Sequence, residues 1–265
     1  MKIFFRCDAT ADIGTGHVFR CLALAHALKK KASEIVFFCR QDEADLGNVI
    51  VEGGYRVVYM PAFTSVAKFD LARKNNSFEQ REFESSDVYF LSQWREENYA
   101  FGAKNSENIF VVDHYLLGVA WQSKIRQLFG KLVVIDDLLD QPHRGDLIVD
   151  PNIRLPLELK QYRESIENGQ DVIGGADHLI IRSSMKDYRD VAIKRMNLSG
   201  YIQNVLVMFG GSDLPNFSKI AVEGCLKVKR IHVHVILGFN NPNRSEIANL
   251  YDENDRVTIH PFMKE

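Results

Sequence analysis

The chain has 265 residues, 46% of them hydrophobic and 26% charged, with 33 Lys+Arg against 35 Asp+Glu. This is an ordinary globular composition, long enough to bury one large core or two smaller ones. A formal charge of −2 gives no overall electrostatic drive toward nucleic acid or an anionic membrane, and no apolar run reaches the roughly 20 residues of a membrane helix.

The N-terminal residues read as a strand at 3–5 and lack the apolar core of a signal peptide. A glycine-punctuated loop, Asp12 to His17, follows. Val18, Leu22, Ala25 and Leu28 then recur at helical period over 18–30, and 34–39 reads as a buried strand. Strand, glycine loop, helix, strand is the opening of a parallel α/β sheet. The alternation continues with a helix at 44–51 stopped by Gly53-Gly54, a strand at 55–60, and a polar stretch to about 85 that reads as loop with a short helix. A helix over 87–103, strands at 109–113, 132–135 and 147–149, and a helix at 119–128 complete this part. Residues 151–200 are polar and read as a linker region with a helix over 184–196.

A second α/β run follows: strand 205–208, helix 217–228, strand 231–237, helix 245–251 and strand 257–259. The expected organisation is an N-terminal α/β domain over 1–184, a connecting helix and linker over 185–203, and a partial C-terminal nucleotide-binding α/β domain over 204–265. A doubly wound domain usually needs about 100 residues, so the second half reads as truncated. Cys7, Cys21, Cys39 and Cys225 form no CxxC pair, and the first three read as small hydrophobes; the plain reading is a reduced, cytoplasmic protein.

Gly14-Thr15-Gly16-His17 is the strongest local signal. Glycines permit a tight turn and a close backbone approach to a ligand, and the helix N-terminus behind them offers free N–H groups. Phe19 stands where GxGxxG needs its third glycine, so the dinucleotide fingerprint fails. The helix N-terminus disfavours an imidazolium at His17, which suits a proton acceptor; a capping or solvent-facing histidine is the alternative reading. The base reading requires that the ring is not turned into the interior and walled off from the crevice between the two halves.

Asp113-His114-Tyr115 ends a strand, where parallel sheets place ligand contacts; a helix cap and a packed aromatic are the plain alternative. Asp136-Asp137 with Asp140 is a weak metal set and reads better as turn-forming carboxylates. His232-Val233-His234 puts two imidazoles on one strand face without a third ligand in view. Gly210-Gly211-Ser212-Asp213 fits a phosphate cradle or a capped turn. Arg182 reads as an anion partner or a surface residue.

In order, these residues resemble a known family. Phe5-Arg6, Asp8, Ile13 to His17, Arg20 to Ala25, Val112 to Tyr115 and Val134 to Asp137 carry the resemblance. Asp150-Pro151-Asn152, Tyr162, Ile180 to Arg182 and Gly210 to Asp213 complete it. The chain resembles the UDP-2,4-diacetamido-2,4,6-trideoxy-β-L-altropyranose hydrolases of pseudaminic acid biosynthesis, which are similar in fold to two-domain GT-B glycosyltransferases. The resemblance implies a GT-B-like α/β fold of two Rossmann-like, doubly wound parallel-sheet domains, and hydrolysis of a UDP-sugar to UDP and the free sugar with inversion. It implies a role in bacterial surface glycans such as flagellin. His17 would be the general base; Gly14, Thr15, Gly16, Arg20, Asp113, His114, Tyr115, Asn152, Arg182, Gly210, Gly211 and Asp213 would bind substrate. It implies neither metal nor cofactor. The partner expected is a small-molecule UDP-sugar, with no nucleic acid and no membrane insertion; oligomeric state is not legible.

The family's second domain continues past residue 265, which implies a fragment. Rival readings are a GT-B glycosyltransferase using a UDP-sugar, an inactive truncated hydrolase, and a Rossmann oxidoreductase. The oxidoreductase is disfavoured by Phe19 and by Cys39-Arg40-Gln41 where a ribose-binding acid would stand.

Overall fold

The computed structural model describes residues 1–9, 15–41, 46–63, 78–99, 107–165, 170–196, 202–238 and 241–260. The chain divides into two compact units, Met1–Asp12 with His17–Ser183, and Ser184–Glu265 with Ile13–Gly16.

In the first unit β1 (Lys2–Cys7), β2 (Glu34–Arg40), β3 (Arg56–Met60), β4 (Ile109–Asp113), β5 (Lys131–Ile135), β6 (Leu147–Val149) and β7 (Asp171–Ile173) form one parallel sheet. Its order is β3-β2-β1-β4-β5-β6-β7. Helices α1 (Gly16–Leu28), α2 (Gly47–Glu52), α3 (Phe78–Asn98), α4 (Val119–Phe129) and α5 (Pro156–Ser165) complete it.

The near-continuous apolar strands reflect burial on both faces. Successive side chains alternate between them: Ile3, Phe5 and Cys7 pack with Val18, Cys21, Leu22 and Ala25 of α1. Phe4, Phe38 and Phe110 pack with Leu91 and Trp94 of α3 and Trp121 and Phe129 of α4. Because β2 and β4 flank β1, the winding reverses between β1 and β4. A crevice outside the carboxyl ends of the strands at such a reversal is where open α/β sheets place ligands.

A buried polar network ties α3 to this edge. Asp87, fully buried on α3, accepts from Arg6 Nε at 2.9 Å and from Trp121 Nε1 at 2.9 Å. Arg6 also donates Nη1 and Nη2 to Asp8 at 2.5 and 2.8 Å. Burial alone would lower the Arg6 pKa, but Asp8 and Asp87 outweigh it and raise it.

In the second unit β8 (Asn204–Met208), β9 (His232–Ile236) and β10 (Val257–His260) form a parallel sheet in the order β10-β9-β8. Val207, Val233 and Val235 pack on Val222 of α8 (Phe217–Leu226) and on Ile247 and Tyr251 of α9 (Arg244–Tyr251). The opposite face carries Leu206 and Met208, 60% and 58% exposed. Two short helices, α6 (Ser183–Asp187) and α7 (Arg189–Met196), stand where one helix was expected.

The α/β class read from the sequence is the class observed. Two local readings differ. The helix expected from residue 87 starts at Phe78, and Phe83 in its second turn anchors this mostly polar opening to the core. The 151–200 stretch is not simply a linker: α5 and β7 extend the first sheet. Their signal was faint because one short strand buries only Val172 fully, with Arg163 Nε and Nη2 donating to the Val172 carbonyl at 3.1 and 2.8 Å.

Replacing Asp87 with Ala leaves the buried Arg6 guanidinium short of a counter-charge and the Trp121 N–H unsatisfied. The expected loss is about 3–5 kcal/mol, read as a lowered urea midpoint, with Asp87→Asn intermediate.

Candidate functional site

The site forms where α1 begins beside the ends of β4 and β5. His17 is the second residue of α1, and Asp113 is the last residue of β4. His17 Nδ1 lies 2.5 Å from Asp113 Oδ1. A carboxylate only accepts, so Nδ1 carries a proton, and in the neutral tautomer this bond selects Nε2 as the nitrogen with the lone pair. Among the described residues no hydrogen bond engages Nε2.

One helical turn on, Arg20 grips the same carboxylate from the other side. Nε donates to Asp113 Oδ2 at 2.8 Å and Nη2 to Oδ1 at 2.7 Å, a bidentate fork. Nη2 also lies 3.2 Å from His17 Nδ1; two donors cannot share a bond, so both serve Asp113. Arg20 Nη1 and the Tyr115 hydroxyl each donate to Asp137 Oδ2 at 3.1 Å. The Tyr115 ring meets His17 edge-on, with centroids 4.6 Å apart. His17, Asp113, Arg20, Asp137 and Tyr115 thus make one connected set drawn from a helix start and two strand ends.

Burial pushes the Asp113 carboxyl up, but His17 and Arg20 outweigh it and hold it below its ordinary value. Burial pulls Arg20 down while Asp113 and Asp137 drive it up, to a net rise. The Tyr115 phenol is raised, first by burial and then by Asp137.

The His17 ring does not lie open to solvent. The residue is 3% exposed, with its ring turned onto Asp113. The buried carboxylate draws the imidazole inward, so the arrangement is a histidine–aspartate pair rather than a lone imidazole tuned by a helix terminus.

Of the other expected residues, Gly14 lies outside the described residues. Thr15 precedes α1 and Gly16 opens it; a side chain added at Gly16 would meet no described atom within 4 Å. His114 turns away from a ligand role: Nε2 donates to Asp8 at 3.1 Å and Nδ1 accepts from the Leu116 N–H at 3.1 Å, which spends both ring nitrogens. Burial lowers its pKa against the pull of Asp8. Asn152 Nδ2 and Arg154 Nη2 donate to the Asp137 carbonyl at 2.7 and 2.5 Å and so fix that loop. Arg182 stacks its guanidinium 4.6 Å from the Phe19 ring centroid on α1.

In the second unit, Gly210 adopts φ +68, a left-handed conformation that favours glycine, and Gly211 follows it. Asp213 accepts from the Phe217 and Ser218 N–H groups at 2.9 Å each, which caps α8.

Asp137 was passed over as a turn carboxylate. Its neighbour Asp136 is the turn residue, accepting from the Leu138 and Leu139 N–H groups at 3.0 and 3.1 Å and from His143 Nε2 at 2.9 Å. The position of Asp137 at the end of the strand beside β4 was the available signal. Among the described residues no group of three or more His, Cys, Asp or Glu side chains is arranged to hold a metal ion.

No protein-family model matches the chain. It is 25% identical over 270 residues to the uncharacterized protein MJ1062 of Methanocaldococcus jannaschii, an alignment covering 98% of this chain and 48% of that protein. The chain therefore spans about half the length of that relative. It is 24% identical over 249 residues to UDP-2,4-diacetamido-2,4,6-trideoxy-beta-L-altropyranose hydrolase of Campylobacter jejuni, covering 93% of this chain and 73% of the hydrolase. Among solved structures, Arabidopsis thaliana UGT89C1 complexed with UDP aligns with a TM-score of 0.57 and 9% identity, covering 99% of this chain and 70% of the other. The UDP-GlcNAc 2-epimerase of Neisseria meningitidis bound to UDP-GlcNAc aligns with a TM-score of 0.52 and 13% identity, covering 100% and 73%. The GT-B-like α/β fold implied by the sequence resemblance is the fold these structures share with the chain.

A carboxyl lowered in the folded state stabilises above its unfolded-state value, near 3.8 for Asp113, and gives that up as pH falls through the folded value. Asp113→Asn should therefore cost about 1–3 kcal/mol at pH 7. The gap between variant and parent should begin to narrow as pH falls below about 4 and close only below the lowered folded value, as read from urea midpoints across that range.

Proposed function

We propose that the chain acts on a nucleotide sugar and hydrolyses UDP-2,4-diacetamido-2,4,6-trideoxy-β-L-altropyranose to UDP and the free sugar. The observation that carries this reading is the His17–Asp113 pair, with Nε2 free, at the reversal of winding where such sheets bind ligands. The similarity to the Campylobacter jejuni hydrolase supplies the substrate.

In this reading Nε2 of His17 takes a proton from water as its oxygen attacks the anomeric carbon. The C1–O bond to the β-phosphate breaks, and its electron pair leaves with UDP. The diphosphate is a weakly basic leaving group and needs no strong general acid. Attack opposite that group inverts the anomeric centre. Asp113 fixes the tautomer and stabilises the imidazolium that forms, the role a carboxylate plays behind a catalytic histidine.

Arg20 is a positioning residue here rather than a substrate ligand, since its bonds run to Asp113 and Asp137. Tyr115 walls the imidazole, and Asn152 steadies the Asp137 loop. The reading requires a path for substrate and one water to Nε2, because the residue is 3% exposed.

Glycosyl transfer from a UDP-sugar is the second reading, favoured by the shared fold with UGT89C1. UDP released from the sugar nucleotide without any acceptor supports hydrolysis; strict dependence on an acceptor overturns it. His17→Asn should lower turnover by about 10²–10⁴-fold. Proton NMR of the reaction should show the inverted anomer first; the retained anomer would rule out direct attack by water.

A further inference from the structure

The histidine pair seen on one strand in the sequence acquires a partner only through the sheet. His232 and His234 share a face of β9, and the parallel register sets Thr258 of β10 opposite His234 and His260 opposite Ile236. His234 Nδ1 lies 3.0 Å from His260 Nε2, and the ring centroids are 5.1 Å apart. On its far side His234 Nε2 lies 3.1 Å from Asn204 Oδ1 on β8. His232 sits 4.8 Å from His234 by ring centroids but is engaged by Thr258 Oγ1 at 2.7 Å. All these side chains belong to the second unit and lie on the sheet face away from α8 and α9.

The bonding pattern dictates the protonation. The Asn204 amide oxygen only accepts, so His234 Nε2 carries a proton, and in the neutral tautomer Nδ1 is the nitrogen with the lone pair. His260 Nε2 donates to that lone pair. A metal ion would take the place of this hydrogen bond by standing off the N···N line, with the His260 Nε2 proton released and both rings turned so that their lone pairs meet the ion. Two nitrogens each about 2.0–2.1 Å from one ion, at bond angles of 90–109°, stand about 2.9–3.4 Å apart, and the observed 3.0 Å falls inside that span. Asn204 already supplies what a metal-bound imidazole needs behind it, an acceptor for its other N–H.

We propose that His234 Nδ1 and His260 Nε2 form a two-imidazole chelate for a borderline divalent cation of the Zn²⁺, Ni²⁺ or Cu²⁺ class, oriented by Asn204 and completed by water. Imidazole suits these ions, whereas Mg²⁺ and Ca²⁺ prefer oxygen. The proposal is independent of the reaction at His17.

The test is calorimetric titration of ZnCl₂ into the full chain near neutral pH in a non-chelating buffer. One equivalent should bind, and His234→Ala and His260→Ala should each weaken binding by about tenfold or more. Asn204→Ala should give a smaller loss, and His26→Ala, on α1, no change. ¹⁵N-histidine NMR gives a second readout: Zn²⁺ should shift Nδ1 of His234 and Nε2 of His260. Absence of binding at millimolar Zn²⁺, full affinity in both histidine variants, or shifts confined to other histidines would overturn the proposal.

Discussion

Asp113 is the constraint around which the first unit is arranged. A carboxylate at 1% exposure is tolerable only if its charge is matched and its lone pairs are filled. His17 and both arms of the Arg20 fork supply that match, and they come from the first two turns of one helix. The helix must therefore start beside the end of β4, which a β1-to-β2 crossover permits only because β4 lies on the other side of β1. Charge satisfaction and topology fix the same geometry.

The surrounding network extends that logic. Arg20 cannot serve Asp113 alone, because its remaining Nη1 needs an acceptor, and Asp137 provides it together with a seat for the Tyr115 hydroxyl. Asp137 in turn is held by its backbone carbonyl, through Asn152 and Arg154. Beneath this layer a second set runs in parallel: His114 on Asp8, Asp8 on Arg6, and Arg6 on Asp87. Both sets join strand ends that share no covalent neighbour. The lower one spends every ring nitrogen of its histidine, whereas among the described residues no hydrogen bond engages Nε2 of His17.

Much of the fold was legible because its signals are local and repeated. Apolar runs such as Ile3 to Phe5 and Phe110 to Val112 carry the doubly buried strands, and α1 shows its period in Val18, Leu22 and Ala25. The starts of α3 and the strand β7 were not legible. The first has a polar opening turn, and the second buries a single valine. At the site, the residue types were visible but their pairings were not. Nothing in Gly16-His17 says that the ring turns inward, because the cause lies 96 residues away at Asp113. His114 and Asp213 look like ligands in sequence and are spent on Asp8 and on the α8 N-terminus. Asp136 and Asp137 are indistinguishable as neighbours, yet successive residues leave a strand end in different directions and meet different partners. His234 and His260 come together only through the β9–β10 register, which pattern alone does not set.

The inward turn of His17 changes the physical basis of a base at this position. A helix terminus alone acts on an imidazole through a field that water and salt weaken within a turn. A hydrogen-bonded carboxylate acts through one fixed bond, selects the tautomer, and stabilises the cation formed after proton uptake. Arg20 shares the same carboxylate through both arms of its fork. A shared GT-B-like scaffold is compatible with epimerase, transferase and hydrolase chemistry alike. What would distinguish them here is which atom meets Nε2 beside the reacting carbon: a water oxygen leads to hydrolysis, and an acceptor hydroxyl to transfer.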